Sequence, residues 1–200
     1  MKQFITPESL RLDSYKLAAK VVQDNFKPDF IVAIWRGGAP IGCYVHEFLK
    51  YTGQKPDHIA IRTSRYTGID TVQENIQIHN LHYLLERVSA QSKVLFVDDV
   101  WDTGLTAQAI LNKMKEELGE KCPKDMRFAT VYFKPTRNKT NTSPFYYVQT
   151  SDQWLVFPHE LEGLTLDEID TNISPSVSNL LQALYTYNTD LFSTNFPGFK

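Results

Sequence analysis

Three aspartates lie close together near the middle of the chain, in the segment VLFVDDVWDTGLTA at residues 94–107. Asp98 and Asp99 follow an apolar run, and Asp102 comes just before a short turn that contains Gly104. Carboxylates accept hydrogen bonds from sugar hydroxyls or hold Mg²⁺. These residue types therefore favour a site for a sugar, a metal ion, or both.

The turn after the acidic pair has the composition of a phosphate-binding loop. A strand that leads through a Gly/Thr turn into a helix leaves backbone N–H groups pointing outward at the positive end of the helix dipole. The hydroxyls of Thr103 and Thr106 can add further hydrogen bonds. The GK[ST] ending of a P-loop is absent. A phosphorylated ribose with a bound metal ion would suit all of these groups; the alternative is a capped helix with solvated aspartates.

The elements that must position these residues alternate between strand and helix. Apolar runs predict buried strands at 30–34, 58–62, 94–99 and 127–134, and helical spacing predicts helices between them. This alternation predicts an α/β fold with a central, mostly parallel, twisted sheet flanked by helices. Ligands of such sheets bind at the carboxyl ends of the strands, where the turn, the WRGG segment and the FKP segment all lie.

The rest of the chain gives the predicted domain organisation. We expect one domain over residues 1–164, with a mobile loop at 63–75 and a small hood that includes short aromatic strands at 145–160. A capping-box motif at Thr165 predicts a helical C-terminal extension over residues 165–200.

Composition narrows the setting of the protein. The 200 residues carry a formal charge of −2, which gives no general reason to bind nucleic acid or an anionic membrane. The two cysteines, Cys43 and Cys122, lack metal-ligand spacing, and no apolar run approaches the length of a membrane span. We therefore expect a cytoplasmic protein without nucleic-acid or membrane partners.

The segment at 94–107 resembles the phosphoribosyl diphosphate (PRPP) signature of the type I phosphoribosyltransferases, an apolar strand, two acids and D-[ST]-G-x-T. The resemblance covers roughly residues 28–160 and is closest to the 6-oxopurine enzymes, which act on hypoxanthine or on xanthine and guanine. It implies a phosphoribosyltransferase fold and a set of PRPP-binding residues. That set is Arg36, Gly37, Gly38, Asp98, Asp99, Asp102, Thr103, Gly104, Leu105 and Thr106.

The resemblance also implies how the base and the metal are held. Lys134 would donate to the 6-oxo group of the purine, since a lysine donates and cannot accept. Trp154 would stack on the base, and the backbone of Leu155 would meet its polar edge. Asp99 and Glu160 would help to hold Mg²⁺, partly through water.

By the same resemblance, Ser64, Arg65 and Tyr66 belong to a mobile loop that closes over the sugar. In this family the peptide bond before the basic residue of the pyrophosphate loop often has an unusual geometry. Here Trp35 stands where a small residue is common, so the resemblance does not predict the geometry of the Trp35–Arg36 bond.

The activity implied is a transferase reaction of purine salvage. The enzyme would move the 5-phosphoribosyl group from PRPP to N9 of a 6-oxopurine, with Mg²⁺ as cofactor and Asp102 as the catalytic acid/base. A homo-oligomer, dimer or tetramer, is expected from the family. The alternatives are a phosphoribosyltransferase for another base, a PRPP-binding regulator on the same fold, and a nucleotide-binding or scaffold protein without catalysis.

Overall fold

The computed structural model describes residues 2–66 and 75–187. The chain forms two compact units. The smaller comprises Met1–Ser9 with Gln153–Lys200, and the larger is Leu10–Asp152.

A six-stranded sheet forms the centre of the larger unit. Its strands are β2 (Phe30–Trp35), β3 (Asp57–Tyr66), β4 (Asn75–His79), β5 (Lys93–Trp101), β6 (Asp125–Phe133) and β7 (Tyr146–Thr150). They lie in the order β4-β3-β2-β5-β6-β7, and every pair is parallel except the antiparallel β3–β4 hairpin. The predicted fold class, a mostly parallel α/β sheet, is confirmed.

Helices precede or connect the strands of this sheet. They are α1 (Pro7–Gln23), α2 (Gly38–Tyr51), α3 (His82–Leu85) and α4 (Leu105–Leu118), with short 3₁₀ turns at Gly119–Lys121 and Pro135–Arg137. The sequence Thr6-Pro7-Glu8 predicts a helix start, with a threonine cap and proline at the first helical position. The structure confirms it, because the hydroxyl of Thr6 accepts a hydrogen bond from the Ser9 amide at 3.1 Å. The α4 helix ends at Gly119, whose φ of 52° suits glycine.

The core lies where the central strands contact α4. Phe96 of β5 stacks on Phe128 of β6 with ring centroids 4.7 Å apart, and Ile110 and Met114 of α4 are fully buried in the same cluster. Each such side chain contributes roughly 1.5–3 kcal/mol by leaving water. This packing fixes the carboxyl ends of β5 and β6 against the start of α4.

The smaller unit is built around a two-stranded parallel sheet. Its strand β1 (Lys2–Phe4) pairs with β8 (Trp154–Val156), and the helices α5 (Leu166–Asn172) and α6 (Pro175–Tyr187) follow. The capping box at Thr165 is confirmed, since the Glu168 amide donates to its hydroxyl and the Glu168 carboxylate accepts from its amide.

The structure divides the chain differently from the predicted boundary after residue 164. The strand β8 and the residues that follow it group with the C-terminal helices because the partner of β8 is the N-terminal strand β1. That pairing joins residues about 150 positions apart in the sequence, too distant for local patterns to indicate.

Both ends of the predicted loop at 63–75 are strand. Residues 63–66 belong to β3 and residue 75 to β4, because the two strands pair from Arg62 with His79 to Tyr66 with Asn75. Residues 67–74 of that predicted loop lie outside the described residues. None of the helices within the described part of the chain is long and apolar enough to cross a membrane.

Candidate active site

The acidic pair lies inside β5 and not beyond its end. Sequence pattern placed the end of the strand at residue 99, but β5 stays paired with β6 as far as Trp101 opposite Phe133. The Asp98 carboxylate accepts a hydrogen bond from the Asp99 amide at 3.0 Å, and the Asp99 carboxylate accepts one from the Val100 amide at 2.7 Å. Both side chains are therefore held by the strand's own backbone.

The two carboxylates repel each other. Burial raises the pKa of Asp98 well above its ordinary value, and the neighbouring Asp99 charge raises it further, although backbone amides of Asp99 and Gly38 oppose the shift. A divalent cation would relieve this repulsion, so the pair suits Mg²⁺. Within the described residues no group of three or more Asp, Glu, His or Cys side chains could hold a metal alone. Mg²⁺ here would take its other ligands from substrate and water, as it commonly does.

The WRGG segment packs directly on the acidic pair. A Cβ atom at Gly37 would overlap the Asp99 carboxylate, and one at Gly38 would overlap the Val97 carbonyl oxygen and lie 2.9 Å from Asp98 Cα. At Gly38 only a bare backbone fits so close to β5, while at Gly37 a side chain would displace the Asp99 carboxylate. The peptide bond between Trp35 and Arg36 is cis.

The phosphate turn connects β5 to α4. Gly104 has a φ of +79°, a conformation that favours glycine, and the α4 helix begins at the next residue. The Leu105 amide lies 3.4 Å from the Thr103 hydroxyl, and the side chains of Thr103 and Thr106 are partly exposed. The amides of the turn and these hydroxyls can thus reach an anion at the start of the helix.

A neighbouring loop that sequence reasoning missed encloses this turn. Arg137 Nε donates to Asp102 Oδ1 at 2.5 Å, and the Lys139 amide donates to the Thr103 carbonyl at 2.9 Å. The side chains of Asn138 and Thr140 lie against Gly104. The arrangement follows from the pairing of β5 with β6, because the loops after two adjacent parallel strands leave the sheet side by side. Only Arg137, the second of the two basic residues in FKPTR, could have indicated this contact from the sequence.

Lys134 lies where the sequence predicted, directly after β6. Its side chain is buried, at 8% exposure, and its amide donates to the Trp101 carbonyl at 2.9 Å. A buried ammonium at the carboxyl edge of the sheet is a well-placed donor for a ligand oxygen.

The other predicted residues lie elsewhere in the chain. Trp154, at 71% exposure, and the buried Leu155 belong to the smaller unit. In the same unit, the Glu160 carboxylate accepts a hydrogen bond from the Phe157 amide at 3.1 Å and closes a turn. Their roles at the base and the metal stay predictions.

The predicted loop residues belong to β3. The Ser64 hydroxyl lies 3.4 Å from His79 Nε2 on β4. The side chains of Arg65 and Tyr66 lie outside the described part. A closing role for these three residues stays a prediction.

The residues of the larger unit that meet at this edge surround a cavity of about 200 Å³. It is lined by the acidic pair and the two residues after it, by most of the turn and the start of α4, and by three buried strand residues, Ile34, Phe128 and Thr130. The site thus offers carboxylates for a diol or metal ion, amides and hydroxyls for a phosphate, and glycine amides for a second anion.

Comparison with known proteins agrees with this chemistry. The family described as phosphoribosyl transferase domain matches residues 8–164. Xanthine phosphoribosyltransferase 1 of Saccharomyces cerevisiae is 30% identical over 176 residues, which cover 74% of this chain and 84% of the yeast protein.

Solved structures show the same fold. A purine phosphoribosyltransferase from Pyrococcus horikoshii superposes with a TM-score of 0.63 at 25% identity, covering 82% of this chain and 96% of that one. Xanthine-guanine-hypoxanthine phosphoribosyltransferase of Helicobacter pylori superposes with a TM-score of 0.60 at 19% identity, covering 78% and 92%.

Proposed function

This chain belongs to the phosphoribosyl transferase family, and on that premise we propose that it is a purine-salvage enzyme. It transfers the 5-phosphoribosyl group of PRPP to N9 of a 6-oxopurine, namely hypoxanthine, guanine or xanthine, and releases pyrophosphate. The observation that carries the proposal is the close packing of the WRGG loop on Asp98 and Asp99. These two aspartates come just before the phosphate-binding segment in the sequence and line the same cavity.

Each part of PRPP has a matching group. The amides and hydroxyls between Asp102 and Thr106 bind the 5′-phosphate at the start of α4. Asp98 and Asp99 accept hydrogen bonds from the ribose hydroxyls and hold Mg²⁺, partly through water. Arg36 and the amides of the two glycines bind the pyrophosphate group.

In the reaction the anomeric C–O bond breaks, its electron pair leaves with pyrophosphate, and the N9 lone pair forms the new C–N bond. Positive charge develops on the ribose, as in other glycosyl transfers through oxocarbenium-like states. The guanidinium of Arg36 and the glycine amides stabilise the charge on the leaving group. Bound Mg²⁺ would add charge neutralisation to the diphosphate.

Asp102 is proposed to act as general acid/base at the imidazole ring of the purine. Its Oδ1 is engaged by Arg137, while Oδ2 has no partner among the described residues. Oδ2 can therefore accept the proton that the base loses as N9 attacks, an effect worth typically 10²–10⁴-fold in rate.

Lys134 is proposed to select the base. Its ammonium donates to the 6-oxo group and has no acceptor to offer the amine of adenine. Trp154 would stack on the ring and the Leu155 backbone would meet its polar edge. Closure of the segment that includes Ser64, Arg65 and Tyr66 would keep water from the sugar.

A direct assay tests the proposal. The purified protein is incubated with PRPP, Mg²⁺ and one of hypoxanthine, guanine, xanthine or adenine, and pyrophosphate release is followed together with nucleotide formation. We expect turnover with at least one 6-oxopurine and little with adenine, and an Asp102→Asn variant that loses most of its turnover number. Binding of PRPP without pyrophosphate release with any base would contradict the proposal. Light scattering of the same sample tests the expected dimer or tetramer.

A further inference from the structure

One of the three threonines that line the active-site cavity has no role in the function proposed above. It is Thr130, which lies in the middle of β6. It is in register with Asp98 on the adjacent strand β5. Side chains of paired residues on neighbouring strands project from the same face of the sheet. The side chains of Thr130 and Asp98 are therefore adjacent on one face of the sheet, and both line the same cavity.

The environment of the Thr130 hydroxyl is unusual. The residue is 1% exposed, and its Oγ1 makes no hydrogen bond within the residues that the structure describes. Most buried polar side chains have a partner, and a buried hydroxyl without one is unfavourable. Valine has nearly the same shape and would fill this position without that cost. Packing alone therefore does not explain the hydroxyl.

The neighbouring carboxylate can accept a further hydrogen bond. The backbone amides of Asp99 and Gly38 act on the Asp98 carboxylate, and a carboxylate can accept about four such bonds in all. The χ1 angle of a threonine is restricted, but its hydroxyl proton turns about the Cβ–Oγ1 bond and can point toward a neighbouring oxygen. A ribose bound to Asp98 would occupy part of the acceptor capacity of the carboxylate and leave the rest for a protein donor.

We propose that Thr130 is a positioning residue for Asp98. When the phosphoribosyl ligand binds, the Thr130 hydroxyl donates a hydrogen bond to the Asp98 carboxylate, either directly or through one water molecule, and so fixes the orientation in which Asp98 meets the ribose hydroxyls. This inference rests on the proposed function, since it takes Asp98 as a ribose-binding residue.

The test compares three variants. Thr130→Val removes the hydroxyl and keeps the shape, and Thr130→Ser keeps the hydroxyl. Thr52→Val is the matched control, because the Thr52 hydroxyl donates to the Leu49 carbonyl at 2.9 Å near the end of α2, outside the candidate site. The measurements are the KM for PRPP, kcat, the Kd of PRPP by calorimetry, and the thermal unfolding midpoint.

A positioning role gives a distinctive pattern. Thr130→Val should raise the KM and Kd for PRPP about tenfold, the effect of one hydrogen bond to a charged group at the lower end of its range. Its unfolding midpoint should be unchanged or higher, because an unpartnered buried hydroxyl has been removed. Thr130→Ser should stay within about threefold of the wild-type affinity, a range that allows for its lost methyl group. Thr52→Val should lower the midpoint and leave KM unchanged.

Two results would overturn the inference. One is an unchanged KM and Kd for PRPP in Thr130→Val; the other is a Thr130→Ser variant that is as impaired as Thr130→Val. If the wild-type protein binds PRPP without turnover, the proposed function fails while the calorimetric comparison still decides the role of Thr130. If the wild-type protein does not bind PRPP, both are wrong.

Discussion

Replacing Gly37 with alanine should separate catalysis from stability at this site. All three of the closest atoms to an added Cβ at this position belong to the Asp99 carboxylate. That carboxylate lies at the end of a short side chain and can rotate away, so the backbone need not move. Rotation breaks its 2.7 Å hydrogen bond from the Val100 amide. Because the displaced carboxylate can find water, the free energy of unfolding should fall by only about 1 kcal/mol.

Activity should fall much further than stability. Asp99 is proposed to hold the ribose hydroxyls and Mg²⁺, and a misplacement of about 1 Å at a reacting centre can cost on the order of 10²-fold in rate. We therefore expect kcat/KM for PRPP to fall about 100-fold in Gly37→Ala. The unfolding midpoint should fall by about 2–4 °C, the shift that 1 kcal/mol produces in a protein of this size.

Alanine at Gly38 should lower the stability of the fold more than alanine at Gly37 does. An added Cβ here meets the backbone of Val97 and Asp98 and no side chain that could move away. Overpacking of this kind typically costs about 1–3 kcal/mol, and either β5 or the start of α2 must shift. The unfolding midpoint should therefore fall clearly more in Gly38→Ala than in Gly37→Ala.

Gly42→Ala provides the control for overpacking away from the acids. Its added Cβ would lie 2.8 Å from the Ala33 Cβ, between α2 and β2. It should lower the unfolding midpoint while the folded protein keeps its kcat/KM. The measurements are thermal unfolding by circular dichroism and initial rates of pyrophosphate release. A Gly37→Ala variant within threefold of the wild-type kcat/KM would refute the reasoning, since the close contact with Asp99 would then have no catalytic consequence.

Three further substitutions test the electrostatics of the larger unit. Asp98→Asn should be more stable than the wild type at pH 7.5 but not below about pH 4. The pKa of Asp98 is raised in the folded protein, so between the unfolded and folded pKa values the folded protein binds more protons than the unfolded chain. The stability of the wild type therefore falls as pH rises through that range. Equal urea midpoints at both pH values would contradict this. Arg127→Met should lower the free energy of unfolding by about 2 kcal/mol, the range of hydrogen bonds to charged groups, because Arg127 Nε donates to Asp125 at 2.8 Å and its guanidinium pairs with Asp24. The substitution should leave kcat unchanged, because Arg127 and its partners lie near the amino end of β6 and the candidate site lies at the carboxyl end. A lower kcat in the folded variant would contradict this prediction. Lys134→Gln should lower kcat/KM for hypoxanthine about 10- to 100-fold, the loss of a charged hydrogen bond. It should also narrow the enzyme's preference for hypoxanthine over adenine, since an amide can accept a hydrogen bond as well as donate one. An unchanged ratio of kcat/KM for hypoxanthine to kcat/KM for adenine would show that Lys134 does not select the base.

Local signals were sufficient to predict much of this fold. The apolar runs of β2, β5 and β6 are long enough to indicate buried strands, and the start of α1 and the capping box at Thr165 depend only on residues within one turn. The strand ends were less certain. Pairing with β6 carries β5 past the acidic residues to Trp101, and this pairing cannot be inferred from the composition of β5.

The parts of the site that were not predicted depend on contacts between distant residues. Arg137 contacts Asp102 across 35 positions of sequence, and nothing in either segment specifies the other. The position of Thr130 beside Asp98 follows only from the register of two strands. In the same way, β8 pairs with β1 at the other end of the chain, and no local pattern indicates that pairing. Side-chain types predict the chemistry, while strand order and register decide which residues share a site.

The acidic pair links the stability of this fold to its proposed chemistry. Asp98 and Asp99 are placed where burial and mutual repulsion disfavour two charges, and this is why the pKa of Asp98 rises. A packing role would be better served by uncharged residues, which the expected stability of Asp98→Asn reflects. The arrangement becomes favourable when a cation and the ribose hydroxyls satisfy both carboxylates. Residues that destabilise the free protein and bind a ligand strongly are a common feature of active sites, where function and stability compete. A rise in the unfolding midpoint with PRPP and Mg²⁺ together, larger in the wild type than in Asp98→Asn, would be the direct sign of that coupling.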